Sequence, residues 1–400
     1  MKKIISLLLA VAMLFGLVAC GSSTPSGKPK GETTPAVQTP KETPKQSNVP
    51  ETPAGDPSDN YNEVGFFTTG VDPFSRKTYN IVFSYMRPMS LMQQTYDNLV
   101  ELEPILNFKT TAYNANSDID ALIQNIQLFA DQGVDGFIIV IDATAKERIV
   151  QVLDETGLPY IAYLNSVRDE NGSELVPVVA LEGVQAGQTI VQWMYDNYKT
   201  YWGEIDESKI GMLNFNYSPN TDFNDRYEGA KSKFLELLPG NAHLMFDADG
   251  VSGGLNEQTG YDLTTATLSA HPEVGYWFIP CCLEQYAQGA ARAVEALGME
   301  DRVMIVDISG DILPREWDSG YEGCWVASYA VPALVYAVPA VCGLISLLDG
   351  TSTPETLWAK DRAEGDICTS FNPIGAMIDI HTYKDFFTSI REKSGLSSVG

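Results

Sequence analysis

From Tyr79 onward, short apolar runs alternate with stretches in which apolar residues recur every three or four positions. The clearest unit runs from Ile119 to Glu155. Ile119, Leu122, Ile123, Ile126 and Phe129 place one apolar stripe along a helix. Gly133 stands where a helix stop favours positive φ. Phe137 to Ile141 is a continuous apolar run, too short for a helix and of the kind found in strands buried on both faces of a parallel sheet. Asp142 follows at its carboxyl end, the edge on which open α/β sheets place ligands. A further helix is predicted over Ala143 to Glu155, with Ile149, Val150 and Leu153 inward.

The same alternation extends both ways. Strands are predicted over Tyr79 to Met86, Phe108 to Tyr113 and Pro159 to Leu164, with a helix over Ser90 to Leu102. Near Val178 the pattern restarts. Strands are predicted at Ile210 to Phe215, His243 to Phe246, Tyr276 to Ile279 and Val303 to Val306, with helices at Arg226 to Leu238 and Gln285 to Leu297. Strands alternating with helices imply the α/β class, here two doubly wound parallel-sheet lobes. Val331 to Leu348 is uncharged and mostly apolar, of borderline membrane length, but contains Pro332 and Pro339. It reads as a helix buried between a sheet and a partner.

Composition changes the picture upstream. Lys2 and Lys3 precede an apolar core from Ile4 to Leu17, and Leu17-Val-Ala-Cys20 closes it, so residues 1–20 read as a secretory signal. The Cys after small residues resembles the lipobox of bacterial lipoproteins, which implies lipidation at Cys20. Residues 21–60 are rich in Pro, Thr, Ser and Gly and nearly free of large apolar residues, which predicts a disordered tether. The formal net charge of −26 argues against a nucleic-acid partner and against electrostatic attachment to anionic lipid. Beyond Cys20 the cysteines are Cys281, Cys282, Cys324, Cys342 and Cys368. No C-x-x-C occurs, and they read as buried thiols.

Candidate chemistry collects at the strand ends. On the first lobe these supply Tyr85, Arg87, Asn114, Asn116, Asp142, Asn165 and Arg168. On the second they supply Asn216, Tyr217, Asn220, Asn224, Asp249, Glu284 and Asp311. Planar amides, carboxylates and guanidinium groups beside aromatic rings suit a sugar, which offers hydroxyls and apolar C–H faces. A serine hydrolase is the competing reading. Gly250-Val-Ser-Gly-Gly254 fits G-x-S-x-G, with Asp307 and His381 following in order, but the glycine-rich residues after it read as loop rather than helix. His243, His271 and His381 are too scattered for a metal centre, and no cofactor motif occurs.

Six segments in order carry a resemblance. They are Gln132-Gly-Val-Asp-Gly-Phe-Ile-Ile139, Gly157-Leu-Pro-Tyr-Ile161, Glu182-Gly-Val-Gln-Ala-Gly187, Arg226-Tyr-Glu-Gly229, Gln288-Gly-Ala-Ala-Arg-Ala-Val-Glu-Ala-Leu-Gly298 and Leu347-Leu-Asp-Gly350. In these the chain resembles type I periplasmic binding proteins of the ribose- and galactose-binding group. The resemblance implies two lobes joined by a hinge, 78–182 with 331–372 and 183–330 with 373–395, closing on a ligand between them. It implies cleft positions at the ends of the first and fourth strands, at Asn224, at the acid after the third strand and near Tyr329. The sequence departs from the sugar binders at Leu283-Glu284, Ser309 and Ala330, leaving Asp307 or Asp311 as substitutes. The implied function is an extracytoplasmic lipoprotein on the outer face of the cytoplasmic membrane, delivering a small molecule, a sugar by the resemblance, to an ABC permease. A sensing module for a chemoreceptor or sensor kinase is the alternative.

Overall fold

A computed structural model describes residues 71–358 and 370–395. The expected signal segment, Cys20 and the tether lie outside the described residues, as does Cys368. The first sheet contains β1 (Tyr79–Tyr85), β2 (Phe108–Asn114), β3 (Gly136–Ile139), β4 (Tyr160–Tyr163), β5 (Val178–Val179) and β11 (Ser370–Phe371). Its order is β11-β5-β4-β3-β1-β2 and every pairing is parallel. The second contains β6 (Ile210–Asn216), β7 (Met245–Asp249), β8 (Tyr276–Cys281), β9 (Val303–Ser309), β10 (Trp325–Ala330) and β12 (Ala376–Asp379), in the order β12-β10-β9-β8-β6-β7. Here β12 runs antiparallel to β10, at the edge of an otherwise parallel sheet. After β11 the chain passes directly to the neighbouring lobe and enters its sheet at the edge. An antiparallel edge strand needs no covering crossover helix.

The helices are α1 (Ser90–Leu106), α2 (Ile119–Asp131), α3 (Lys146–Thr156), α4 (Gly183–Trp202), α5 (Thr221–Leu237), α6 (Glu257–Ala270), α7 (Glu284–Leu297), α8 (Leu313–Asp318), α9 (Ala333–Leu348) and α10 (Tyr383–Ser394). Local chemistry sets their ends. The Asp118 carboxylate accepts from Ala121 N at 2.9 Å and starts α2, and Gly157 at φ 67 ends α3. Helix α3 begins three residues later than expected because Asp142 turns the chain, accepting from Thr144 N at 2.9 Å. Helix α5 begins five residues earlier than expected, because Asn220 caps it by accepting from Asp222 N and Phe223 N.

Strand alternation sorts the first sheet's side chains between two cores. Val82, Phe137, Ile139 and Ala162 face Leu122 and Ile126 of α2 and Ile149 and Leu153 of α3. Ile81, Phe83, Ile138 and Ile161 face the opposite layer, where α9 packs against α1, β3, β4 and β5. The Tyr163 and Tyr336 rings meet there with centroids 5.9 Å apart. So the apolar stretch read as a buried helix is one. Among the described residues no helix is long and apolar enough to cross a membrane.

In the second lobe, α4 and α5 approach backbone to backbone. A Cβ on Gly187 would lie 2.0 Å from Arg226 O, and one on Gly229 would lie 2.1 Å from Val184 O. Only hydrogen fits at these positions, which explains the glycines of both segments. The chain passes between the sheets after β5, after β10 and after β11. Cys281, Cys282, Cys324 and Cys342 are buried free thiols.

Candidate functional site

The strand orders place the site. In the first sheet the direction of winding reverses between β1 and β3, and in the second between β6 and β8. Loops leaving adjacent strands at such a reversal diverge and open a crevice at their carboxyl ends. The two crevices face each other across one cavity of about 400 Å3. The first lobe contributes Tyr85, Arg87, Asp142 and Asn165, and the second Tyr217, Asn220, Glu284 and Asp311.

Several of these side chains are already engaged. Asp142 holds its own turn through Thr144. Asn165 donates to Ile141 O at 2.9 Å and accepts from Asn220 of the other lobe at 3.3 Å. The Glu284 Oε1 accepts from the backbone N–H groups of Asp311 and Ile312 at 2.6 and 2.7 Å. Burial, with the carboxylates of Asp307 and Asp311 nearby, pushes its pKa well above the usual carboxylate range. Asp311 accepts from Gln94 of the first lobe and from Arg315, which also donates to Ser90. Arg87 Nε donates to Ser117 Oγ at 3.1 Å.

Seven of the predicted site residues are placed away from the cavity, each for a local reason, and among them Asp249 accepts from Val251 N at 3.1 Å and Ser218 N at 3.3 Å. Asn116 sits at φ 51 in an exposed turn, exchanging hydrogen bonds with Asn114. Asn216 donates to Asn224 Oδ1 at 2.6 Å, and Asn224 donates to Ser218 O at 2.9 Å, so the two amides brace the loop after β6. Tyr329 turns its hydroxyl to accept from Gly375 N at 3.0 Å at the crossing into β12. Arg168 donates from Nε to Glu174 Oε1 at 2.7 Å and from Nη1 to Asp225 Oδ2 at 2.6 Å, which ties the first lobe to α5 of the second. It is a strut between lobes.

Residues that sequence reasoning passed over do line the cavity. Asp222 and Arg226, one turn apart on α5, are the most informative. Asp222 is buried, and its Oδ2 accepts from Ser166 N across the lobes at 3.1 Å. Desolvation pushes its pKa up. Arg226 Nη1 donates to Cys282 O at 2.8 Å, and its guanidinium lies over the Phe223 ring. The available signal was Asn220 as an N-cap, which puts Asp222 and Arg226 on the first turns of the helix. Met86, Met89, Leu91 and Met92, around the start of α1, form an apolar wall.

The hydrolase elements do not assemble. Ser252 ends a 3-10 turn (Gly250–Ser252) that separates β7 from α6, not a strand-to-helix elbow. The Asp307 carboxylate is buried and accepts from Trp325 Nε1 at 2.8 Å and Ser328 Oγ at 2.9 Å. His381 is exposed on a turn. Among the described residues no group of His, Cys, Asp and Glu is arranged to hold a metal ion.

No curated protein sequence matches the chain. Solved structures do, at low identity. One is an ABC transporter periplasmic solute binding protein from Actinobacillus succinogenes 130z with bound D-allose, at 15% identity and TM-score 0.60, covering 77% of this chain and 100% of that one. A second is an ABC transporter solute binding protein from Bacillus halodurans C-125 with bound myo-inositol, at 16% identity and TM-score 0.58, covering 78% and 97%. A third is the fructose binding periplasmic domain of a hybrid two component system, at 17% identity and TM-score 0.61, covering 79% and 97%. At these identities the likeness speaks for the fold. A family model described as a periplasmic binding protein domain matches residues 88–327, more than half of the sequence. The chain therefore belongs to the periplasmic binding protein family, with the type I two-lobed fold, whose members bind ligands rather than transform them.

Proposed function

We propose that this protein is an extracytoplasmic solute-binding lipoprotein, anchored through Cys20, that captures a sugar or sugar derivative between its lobes and delivers it to an ABC-type importer. The carrying observation is the cavity at two facing switch points, with Asp142 and Asn165 on one wall and Asn220 and Glu284 on the other. A molecule held there touches both lobes, so its binding energy favours the closed arrangement. The sugar and polyol ligands named for the structures of similar fold support the substrate class. In the proposed protein, residues 78–182 with 331–372 and 183–330 with 373–395 act as the lobes that open and close.

The test is a thermal-shift screen of sugars, polyols, nucleosides and amino acids, followed by calorimetric titration. A ligand specific to the folded state raises the melting temperature by an amount that grows with the logarithm of free ligand concentration over Kd. Sugars that leave the melt unmoved at millimolar concentration, while amino acids shift it, would refute the substrate class. Similarity to the fructose binding domain of a two component system supports a second reading, ligand sensing. Deleting the gene separates the two. Loss of uptake of the identified solute marks import. Retained uptake with a lost transcriptional response marks sensing.

A further inference from the structure

We infer that the ligand of this cleft carries an apolar body joined to its polar part, as in an aryl or alkyl glycoside or a nucleoside, rather than being a free monosaccharide. The inference rests on the reading of the protein as a sugar-class binder and deepens it. A free hexose presents polar hydroxyls around its whole rim, and each one taken from water needs a partner. Several of the cleft's polar groups are already committed. Asn224 and Asn216 satisfy each other outside it, Asn165 is held by Ile141 O and Asn220, and one oxygen of Glu284 is saturated by two backbone N–H groups.

Apolar side chains dominate the remaining lining. Met86, Met89 and Met92 converge from the first lobe, and Phe223, Leu255 and Leu283 from the second. Thioethers fill irregular space and pack well on aromatic rings, which suits a wall that receives a ring. The volume of about 400 Å3 falls in the range that encloses ligands larger than one sugar ring.

The polar end has a counterpart as well. Asp222 lines the cavity and is 5% exposed, and its Oδ1 has no hydrogen-bond partner among the described residues. Arg226 Nε, one turn further along α5, is likewise buried without one. An acceptor and a donor one helical turn apart match a group that both donates and accepts, such as a vicinal diol. The cavity therefore has a polar corner at Asp222 and Arg226 and an apolar wall formed from both lobes.

The experiment titrates the purified mature protein with D-glucose, D-galactose and D-ribose, and with phenyl β-D-glucoside, phenyl β-D-galactoside, adenosine and uridine. At least one derivative should bind about tenfold or more tightly than its parent sugar, the scale expected when one ring face leaves water. Phe223→Ala should shrink that ratio several-fold while leaving its melting temperature within a few degrees of the parent protein. Parent sugars binding as tightly as every derivative would overturn the inference and leave the proposed function standing. If neither sugars nor derivatives bind, the proposed function falls and the inference with it.

Discussion

Replacing Arg168 with methionine separates a strut from a ligand contact. The guanidinium joins Glu174 on its own lobe at 2.7 Å to Asp225 on the other at 2.6 Å. The Glu174 side chain is 7% exposed, against 28% for Arg168 and 25% for Asp225. Without the arginine, Glu174 keeps a hydrogen bond from Val167 N at 3.1 Å but is buried with no cation. Stranding a fully buried charge costs about 3–5 kcal/mol. Water reaches this pair from the arginine side, so a loss of about 1–3 kcal/mol in unfolding free energy is expected, read as a lower urea midpoint at unchanged slope. The second effect is on closure. A part-exposed pair between lobes contributes about 1 kcal/mol or less, and its loss lowers the closed fraction. Apparent affinity then falls about fivefold or less, by the same factor for every ligand. Asp225→Asn should reproduce the affinity loss with little of the destabilisation, since Arg168 and Glu174 remain paired. Urea titration of the free protein and calorimetry with two chemically distinct ligands check both effects. An unchanged urea midpoint refutes the strut. A factor differing greatly between ligands would put Arg168 in contact with ligand instead.

Further outcomes follow from the same geometry. Burial raises Asp307 and Glu284 above the ordinary carboxylate range, although Trp325 and Ser328 donate to Asp307. The folded state then holds protons that the unfolded chain releases, so stability present near pH 4 declines as pH rises through neutrality. The melting temperature should be higher near pH 5 than near pH 8, and Asp307→Asn should flatten that slope where a general charge effect would not. Gly187→Ala forces a methyl against Arg226 O and should cost about 1–3 kcal/mol by separating α4 from α5, and an unchanged urea midpoint would contradict the close approach. Asn224→Ala should change ligand affinity less than threefold, since that amide braces the loop after β6, and a hundredfold loss by calorimetry would return it to the site. Cys20→Ala should release the protein from carbonate-washed membranes, and retention there would place the anchor elsewhere.

The lobes were legible because periodicity records which face of an element is buried. Phe137 and Ile139 against Ile138 is the pattern of a strand between two helical layers, and it is visible without coordinates. The antiparallel β12 was not, since four residues with one buried position carry no direction. At the site, strand ends pointed to Tyr85, Asp142, Asn165 and Glu284, which line the cavity. They could not tell which amides would be consumed by neighbours. Asn216 and Asn224 stand eight residues apart and find each other only after the loop folds back. Arg168 reads as a ligand contact until Asp225, from a distant part of the chain, is placed beside it. Asp222 and Arg226 were hidden for the opposite reason, since a helix's first turns look like surface until another lobe covers them.

Helix α9 sets the order in which this molecule can be completed. Ile81, Phe83, Ile138 and Ile161 are all made before residue 162, yet the layer that covers them includes a helix spanning Ala333–Leu348. Strand β11, the last member of the first sheet, comes later still, at Ser370–Phe371. The second lobe, begun at Gly183, likewise waits for Ala376–Asp379 to fill its edge. Synthesis order and folding order therefore diverge. A chain stopped before Ala333 has an apolar sheet face covered only in part, by α1, and the contacts that close it are separated by some of the longest loops the sequence allows. The first lobe begun is among the last finished, and its exposed face is a place for a chaperone to hold until the end of the chain arrives.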